Sequence, residues 1–297
     1  MQLLKQPFSA MACTCEIVIA AGDLPAARAP IAAAVAEVRR IEAKFSRYRP
    51  DSVISRINAA AGGAALVCDE ETASLLAYAD TLFQASGGLF DITAGVLRQA
   101  WDFKRPQLPS DETLARVCAL IGWGRVERNA NSVRLPQVGM ELDFGGFGKE
   151  YAADRAAAVL AAAGIRHGYV SLGGDLRAIG PKPDGGPWMI GIQDPRRAGD
   201  IIASIPIERG GLATSGDYAR FFELDGRRYC HLLNPHSGQP VTYWRTVSVV
   251  APLAVMAGNC STIAMLKEQD GLDFLEAAGV SYLAMDYSGE IHLGKPD

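Results

Sequence analysis

The sequence contains no uninterrupted apolar run of about eighteen residues, so no membrane-spanning helix is expected. It carries no positive excess either. Twenty-nine Lys and Arg stand against 33 Asp and Glu, a formal net charge of -4, and the pI is about 5.7. The basic residues come in pairs, Arg39-Arg40 and Arg196-Arg197, and form no tract, so a nucleic-acid-binding surface is not indicated. Cysteine is sparse and scattered, at positions 13, 15, 68, 118, 230 and 260. Only Cys13 and Cys15 lie close together, and no second pair completes a zinc site. These cysteines read as small buried hydrophobes, which suits a reducing compartment. Met1-Gln-Leu-Leu-Lys-Gln-Pro7 has no apolar h-region, and no lipobox precedes a cysteine; with Met1 as the start, a cytoplasmic protein is expected. Walker, GxSxG, HExxH, EF-hand and GxGxxG patterns are all missing, so a Rossmann cofactor site has no support.

What remains is an ordinary globular composition of 297 residues, 49% hydrophobic and 21% charged, with enough chain for a large core. Apolar positions at helical spacing predict helices over 30–45, 69–86, 111–122 and 254–267, with Pro30 in a first turn and Gly87-Gly88 as a stop. A short helix capped by Asp51 or Ser52 ends near Asn58. Strands are expected at 15–20, 169–172, 188–193, 201–208, 247–250, 281–286 and 291–293. The clearest hairpin pairs 221–224 with 228–233 around Asp225-Gly226, and 126–135 turns at Asn129-Ala-Asn131. No linker or internal repeat divides the chain. The expectation is one α+β domain over 1–297, with mixed or mainly antiparallel sheets and flanking helices.

The most informative stretch is Leu142-Asp-Phe-Gly-Gly-Phe-Gly-Lys-Glu-Tyr-Ala-Ala-Asp154. Gly145, Gly146 and Gly148 allow the backbone close to a ligand, because no Cβ intervenes. Lys149 then falls in the first turn of a helix that runs to Gly164, where free N–H groups and the macrodipole favour an anion such as a diphosphate. A turn that binds nothing would look the same. Further polar residues follow turns elsewhere: Tyr48, Asp91, Thr93, Asp175, Thr214-Ser215, His231 and Ser261-Thr262. Each has a plain structural reading beside the functional one. Tyr48 could be a surface tyrosine. Asp91 and Asp175 could bond their own turns, and Thr214-Ser215 could be a strand-to-loop turn. His231 could be a satisfied core histidine in a strand.

Taken in order, these segments resemble the ApbE family of FAD-dependent FMN transferases. The resemblance is carried by Met11-Ala-Cys-Thr14, Phe45-Ser-Arg-Tyr-Arg-Pro-Asp-Ser52 with Asn58, Gly88-Leu-Phe-Asp-Ile-Thr93, the Leu142–Asp154 stretch, Ser171-Leu-Gly-Gly-Asp175, Ala213-Thr-Ser-Gly-Asp-Tyr218 and His231-Leu-Leu-Asn-Pro-His-Ser-Gly238. A further block at 257–264 is degraded. The resemblance implies an enzyme that binds FAD and magnesium (Mg2+) and passes FMN to a Thr or Ser of an acceptor flavoprotein, releasing AMP. Some relatives mainly hydrolyse FAD. It places Met11, Tyr48, Thr93, Ala94, Gly95, Asp143 and Lys149 around FAD. The metal would take the Gly146 carbonyl and the Thr262 hydroxyl, with Asn259 as a further candidate, and His231 is nearest to general-base work. Phosphoryl transfer asks mainly for positioning and charge neutralisation, which such residues supply. Magnesium prefers oxygen ligands.

Three departures matter. The family's Ala-Asp-x-x-x-Thr block is Ala257-Gly258 followed by Thr262 in register, so the anionic metal ligand is missing. Asn259 has an amide oxygen but sits about 100° further round a helix. The Gly that usually follows the lysine is Glu150, and the Asp usually found in the histidine block is Asn234. Glu150 could repel phosphate or could replace the lost ligand. An active transferase with a weak or rebuilt metal site, an FAD pyrophosphatase and a flavin carrier all remain open, and Gly258→Asp is expected to strengthen metal binding.

Overall fold

The computed structural model describes residues 1–295. The chain opens with two long strands, β1 (Gln2–Ala10) and β2 (Cys13–Ala21), and the helices α1 (Leu24–Phe45) and α2 (Val53–Ala59). Strand β3 (Leu66–Val67), helix α3 (Glu70–Ser86), helix α4 (Asp111–Cys118) and strands β4 (Glu127–Arg128) and β5 (Ser132–Arg134) follow. The Gly-rich stretch leads into α5 (Gly148–Ala162), then β6 (Gly168–Leu172), β7 (Asp175–Gly180), β8 (Trp188–Gln193), β9 (Ile201–Ile207) and β10 (Gly210–Gly216). The hairpin β11 (Phe221–Leu224) and β12 (Arg227–Cys230) precedes β13 (Trp244–Ala251), α6 (Ala254–Lys267), α7 (Gly271–Ala277), β14 (Ser281–Asp286) and β15 (Ile291–Gly294).

One eight-stranded sheet, ordered β1-β2-β6-β7-β10-β13-β14-β15, organises the rest. Every neighbouring pair in it is antiparallel. Helix α5 lies on β6 and β7, and α6 on β10 and β13, so the two helices meet over the middle of the sheet. Small residues make that meeting close. Ala152, Ala153, Ala156 and Ala157 of α5, and Ala254, Ala257, Gly258 and Ala264 of α6, are all buried. Larger side chains there would hold the axes apart. Helix α1 closes the layer through Ile31, Ala34, Val38, Ile41 and Phe45.

The α+β expectation holds, with differences at the edges. Strand β1 has no sequence counterpart. It is an edge strand, largely exposed and interrupted by Pro7, so it shows no clean alternation. Helix α1 begins at Leu24 with Asp23 as its cap, and Pro30 lies inside it rather than in its first turn. The second strand of the Asp225-Gly226 hairpin stops at Cys230, which leaves His231 just beyond the ladder. No helix among the described residues is long and apolar enough to cross a membrane.

Candidate active site at the start of helix α5

The Gly-rich stretch begins with Asp143, whose Oδ1 accepts the Gly145 N–H at 2.9 Å. Its Oδ2 pairs with Arg47 Nη1 at 2.9 Å. That nitrogen also donates to Gly95 O at 3.1 Å, while Arg47 Nη2 donates to the Tyr48 hydroxyl at 3.0 Å. Tyr48, Gly95 and Asp143 are therefore brought together by Arg47, which sequence reasoning passed over inside its own block. A Cβ on Gly95 would lie 2.5 Å from Asp143 Cβ, so only glycine fits there. Tyr48 is 75% exposed, with the Arg47 guanidinium 5.0 Å from its ring centroid. An exposed ring backed by a cation offers a face on which a planar ligand can stack.

Thr93 contributes differently from its neighbours. It is fully buried, and its hydroxyl donates to Asp91 Oδ1 while accepting the Gly122 N–H at 2.8 Å. Asp91 Oδ2 accepts the Trp123 N–H at 3.0 Å, so Asp91 is a turn-holding residue. In the turn at 93–95, Ala94 and Gly95 are the half-buried members.

Lys149 sits at the second position of α5, as its motif requires. Its Nζ pairs with Glu150 Oε1 at 3.1 Å and with Asp175 Oδ2. Asp175 Oδ1 accepts the Thr214 N–H at 3.2 Å, which ties the end of β7 to β10. The turn at Gly173 packs against this lysine and against the first hairpin: a Cβ on Gly173 would lie 3.8 Å from Lys149 Cδ and 3.1 Å from Cys13 Sγ. Met11 and Ala12 form that hairpin's two-residue turn with φ of 52° and 57°. Left-handed backbone at two non-glycine residues costs on the order of 1–3 kcal/mol each. The Met11 N–H donates to Glu42 Oε1 at 2.6 Å, which helps to hold the turn.

The electrostatics follow from burial. Burial raises the Glu150 carboxyl, to about 8, with Asp175 adding to the rise and Lys149 opposing it. Burial works against the Lys149 ammonium, but Glu150 and Asp175 outweigh it and hold it above its ordinary range.

Helices α5 and α6 are locked in register by Asp154. Helix α6 has no side-chain cap of its own, and Asp154 Oδ1 and Oδ2 accept the Ala254 and Val255 N–H groups, each at 2.9 Å. One turn back along α5 is Glu150, and one turn forward along α6 is Gly258, and these two face each other. Asp154→Ala is expected to destabilise the protein by about 1–2 kcal/mol, the usual worth of a lost cap. Urea unfolding checks this, and an unchanged midpoint would remove Asp154 from that role.

Beyond Gly258, Asn259 is 1% exposed and donates through Nδ2 to the Tyr78 hydroxyl at 2.7 Å. Thr262 Oγ1 lies 3.0 Å from Ser215 Oγ, which also lies 2.8 Å from Ser261 Oγ. The block around Thr214-Ser215 is thus a strand in which the Ser215 hydroxyl meets α6 while the Thr214 hydroxyl meets Ser248 of β13 at 2.8 Å. Gly146 packs on Phe90, where a Cβ would come within 2.8 Å of Cζ. His231 donates its backbone N–H to Arg220 O at 3.0 Å. Burial, with Arg220 and Lys149 adding to it, depresses the imidazole to about 4.

Buried polar atoms normally have partners. Among the described residues, five buried side-chain polar atoms have none. Four of them belong here: Arg47 Nε, Glu150 Oε2, Asn259 Oδ1 and His231 Nδ1. A surface groove of about 770 Å³, lined by Asp194, Arg196, Arg245 and Ile291 among others, shares no residue with this region. Tyr78 had no sequence signal, since it belongs to an ordinary helical face, whereas Arg47 and Ser215 lay within motifs already noticed.

A family model described as the ApbE family matches residues 11–284. The chain belongs to the ApbE family. A Haemophilus influenzae FAD:protein FMN transferase is 31% identical over 80% of this chain and 73% of its own length. The Treponema pallidum FAD:protein FMN transferase is 32% identical over 79% of this chain and 73% of its own. Among solved structures, the ApbE protein of Thermotoga maritima superposes with a TM-score of 0.89 at 30% identity, covering 99% of this chain and 97% of that one. The Pseudomonas stutzeri flavinyl transferase ApbE, in its apo form, gives 0.88 at 29% identity over 99% and 95%. The ApbE assignment accords with the single α+β architecture and with the order of the motifs.

Proposed function

We propose that this chain is an FAD:protein FMN transferase that uses magnesium, takes FAD as the FMN donor and releases AMP. The observation that carries the reading is Lys149 in the first turn of α5, paired with Glu150, whose second carboxylate oxygen is buried and unpartnered. A ligand with phosphate oxygens and a planar ring would use Lys149 for charge, and Tyr48 with Ala94, Gly95 and Asp143 for position. Met11 would meet the ligand from the first hairpin's turn, whereas Thr93 acts from behind by holding the 93–95 turn in shape. The donor set fits magnesium, which prefers oxygen, because the unpartnered groups nearest α6 are the carboxylate of Glu150 and the amide oxygen of Asn259. These, with the Thr262 hydroxyl and the Gly146 carbonyl, would hold the ion. When bound, it supplies charge neutralisation to the diphosphate oxygens.

The proton is handled by His231. Its depressed pKa keeps it neutral, and its Nδ1 has no competing partner. A free imidazole of this kind is a weak base. Negative charge from bound diphosphate raises it towards the useful range. In the reaction, the acceptor Thr or Ser oxygen bonds to the phosphorus of the FMN half, and the P–O bond to the AMP half breaks. The electron pair leaves on the AMP oxygen, and the hydroxyl proton passes to His231.

The direct test incubates the purified protein with FAD, magnesium and a flavoprotein carrying an accessible Thr or Ser. AMP and a covalent flavin that survives denaturation are expected in equal amounts. AMP with free FMN would make the protein a pyrophosphatase. Tight FAD binding with no AMP would make it a flavin carrier. Either result would overturn the transferase reading.

A further inference from the structure

The family pattern leaves position 258 without its acid, and a neutral glycine there looks like loss of the metal site. The packing of α5 on α6 puts another acid beside that position. A Cβ built on Gly258 would lie 2.6 Å from Glu150 Cγ and 3.0 Å from both Cδ and Oε1. The Glu150 carboxyl group thus occupies the space into which a side chain at 258 would project. It reaches there from the opposite helix. Glycine at 258 and glutamate at 150 are two halves of one arrangement, since a residue with a Cβ at 258 cannot coexist with this glutamate in place.

The carboxylate is also only half used. Oε1 is paired with Lys149 at 3.1 Å, whereas Oε2 is buried and unpartnered in a residue that is 6% exposed. A structural counter-ion for Lys149 has no reason to leave its second oxygen empty, because a buried acceptor without a partner is unfavourable. Asn259, the residue after Gly258, has the second unpartnered oxygen, Oδ1, and is 1% exposed. Asp154 caps α6 and fixes the register that sets Gly258 against Glu150.

We propose that Glu150, presented by α5 over Gly258, is the anionic ligand of a divalent cation in this chain, in place of an acid on α6. The inference rests on the metal-dependent reading above. Glu150 holds the ion through Oε2 while Lys149 keeps Oε1, so the lysine and the cation share one carboxylate. The arrangement also corrects the expectation for Gly258→Asp. That substitution drives a side chain into Glu150, so it weakens the site.

The test measures Mn2+ binding by electron paramagnetic resonance on the full chain with ADP as a diphosphate that is not transferred. FAD binding is followed in parallel by flavin fluorescence. Glu150→Gln keeps the shape and removes the charge, and Mn2+ affinity is expected to fall at least tenfold, with FAD titrated in the absence of metal to show that the flavin site is still formed. Gly258→Asp is expected to lower both the melting temperature and Mn2+ affinity. Glu150→Gly combined with Gly258→Asp moves the acid to the other helix, and Mn2+ affinity is expected to return to within about threefold of the parent. This recovery also decides the matter if Glu150→Gln fails to fold. Unchanged Mn2+ binding in Glu150→Gln would overturn the proposal, and so would a folded double variant without recovery. A parent that binds FAD but no Mn2+ sinks this inference alone, whereas a parent that binds no FAD sinks the transferase reading.

Discussion

His231→Ala is expected to retain FAD affinity and to lose AMP release by about 10²–10⁴-fold, the usual worth of a general base. The residue follows the last paired residue of β12, held by a backbone bond to Arg220 O, so its removal leaves the ladder intact. Its ring carries a buried, unpartnered Nδ1, and no other histidine among the described residues has a buried ring nitrogen without a partner. Stopped-flow measurement of AMP release, beside fluorescence titration of FAD, separates chemistry from binding. Undiminished turnover would exclude His231 from proton transfer. The same side chain also gives a stability signature. Its folded pKa of about 4 lies below the ordinary 6.5. Between those values the unfolded chain takes up a proton that the folded chain refuses. Stability contributed by the neutral ring is therefore complete above pH 6.5 and is lost as pH falls towards 4. Moving from pH 7 to pH 5 should cost on the order of 2 kcal/mol through this residue. Urea titrations of the parent and His231→Gln should diverge in that way, and parallel profiles would show that the imidazole is not depressed.

Lys149→Ala is expected to do two things at once. On the proposed function it removes a charge-assisted contact to the diphosphate, and FAD binding should weaken by about 1.5–3 kcal/mol. It also strips the cation from Glu150 and Asp175, which are 6% and 5% exposed. Breaking a buried pair by deleting one partner typically costs about 3–5 kcal/mol, because the remaining charge is uncompensated. Protonation of Glu150, already raised by burial, will relieve part of this. The variant should therefore be clearly less stable than the parent at neutral pH and should recover as the pH is lowered, since the freed carboxyls then take up protons. Thermal melts at pH 5.5 and 7.5 check the stability, and calorimetric FAD titration well below the melting point checks the affinity. Equal FAD affinity would remove Lys149 from the binding site. Equal stability would show that the two acids do not depend on it.

Much of this protein is decided locally, and that part is readable along the chain. The helices over 70–86 and 254–267 follow from apolar spacing and from Asp69 and Gly87, which cap and stop the first of them. The hairpin at Asp225-Gly226 follows from a turn that needs positive φ, found here at 51° and 74°. Lys149 falls at the start of α5 because three glycines precede a run of helix formers. Strand β1 is the counterexample. An exposed edge strand containing proline carries no period to read, and it exists because β2 offers an unpaired edge.

What the sequence determined by itself is the set of motifs, their order, the elements that carry them and the absence of an acid at position 258. Tertiary structure alone decided what those residues mean to one another. Arg47 gathers Tyr48, Gly95 and Asp143, although its place in the chain gives no hint of that role. Glu150 and Gly258 are more than a hundred positions apart, and their complementarity arises only because Asp154 caps the facing helix and sets its register. The physical reason is range. Caps, turns and periodicity act over a few residues, whereas the space open to a side chain is set by whatever the fold packs against it.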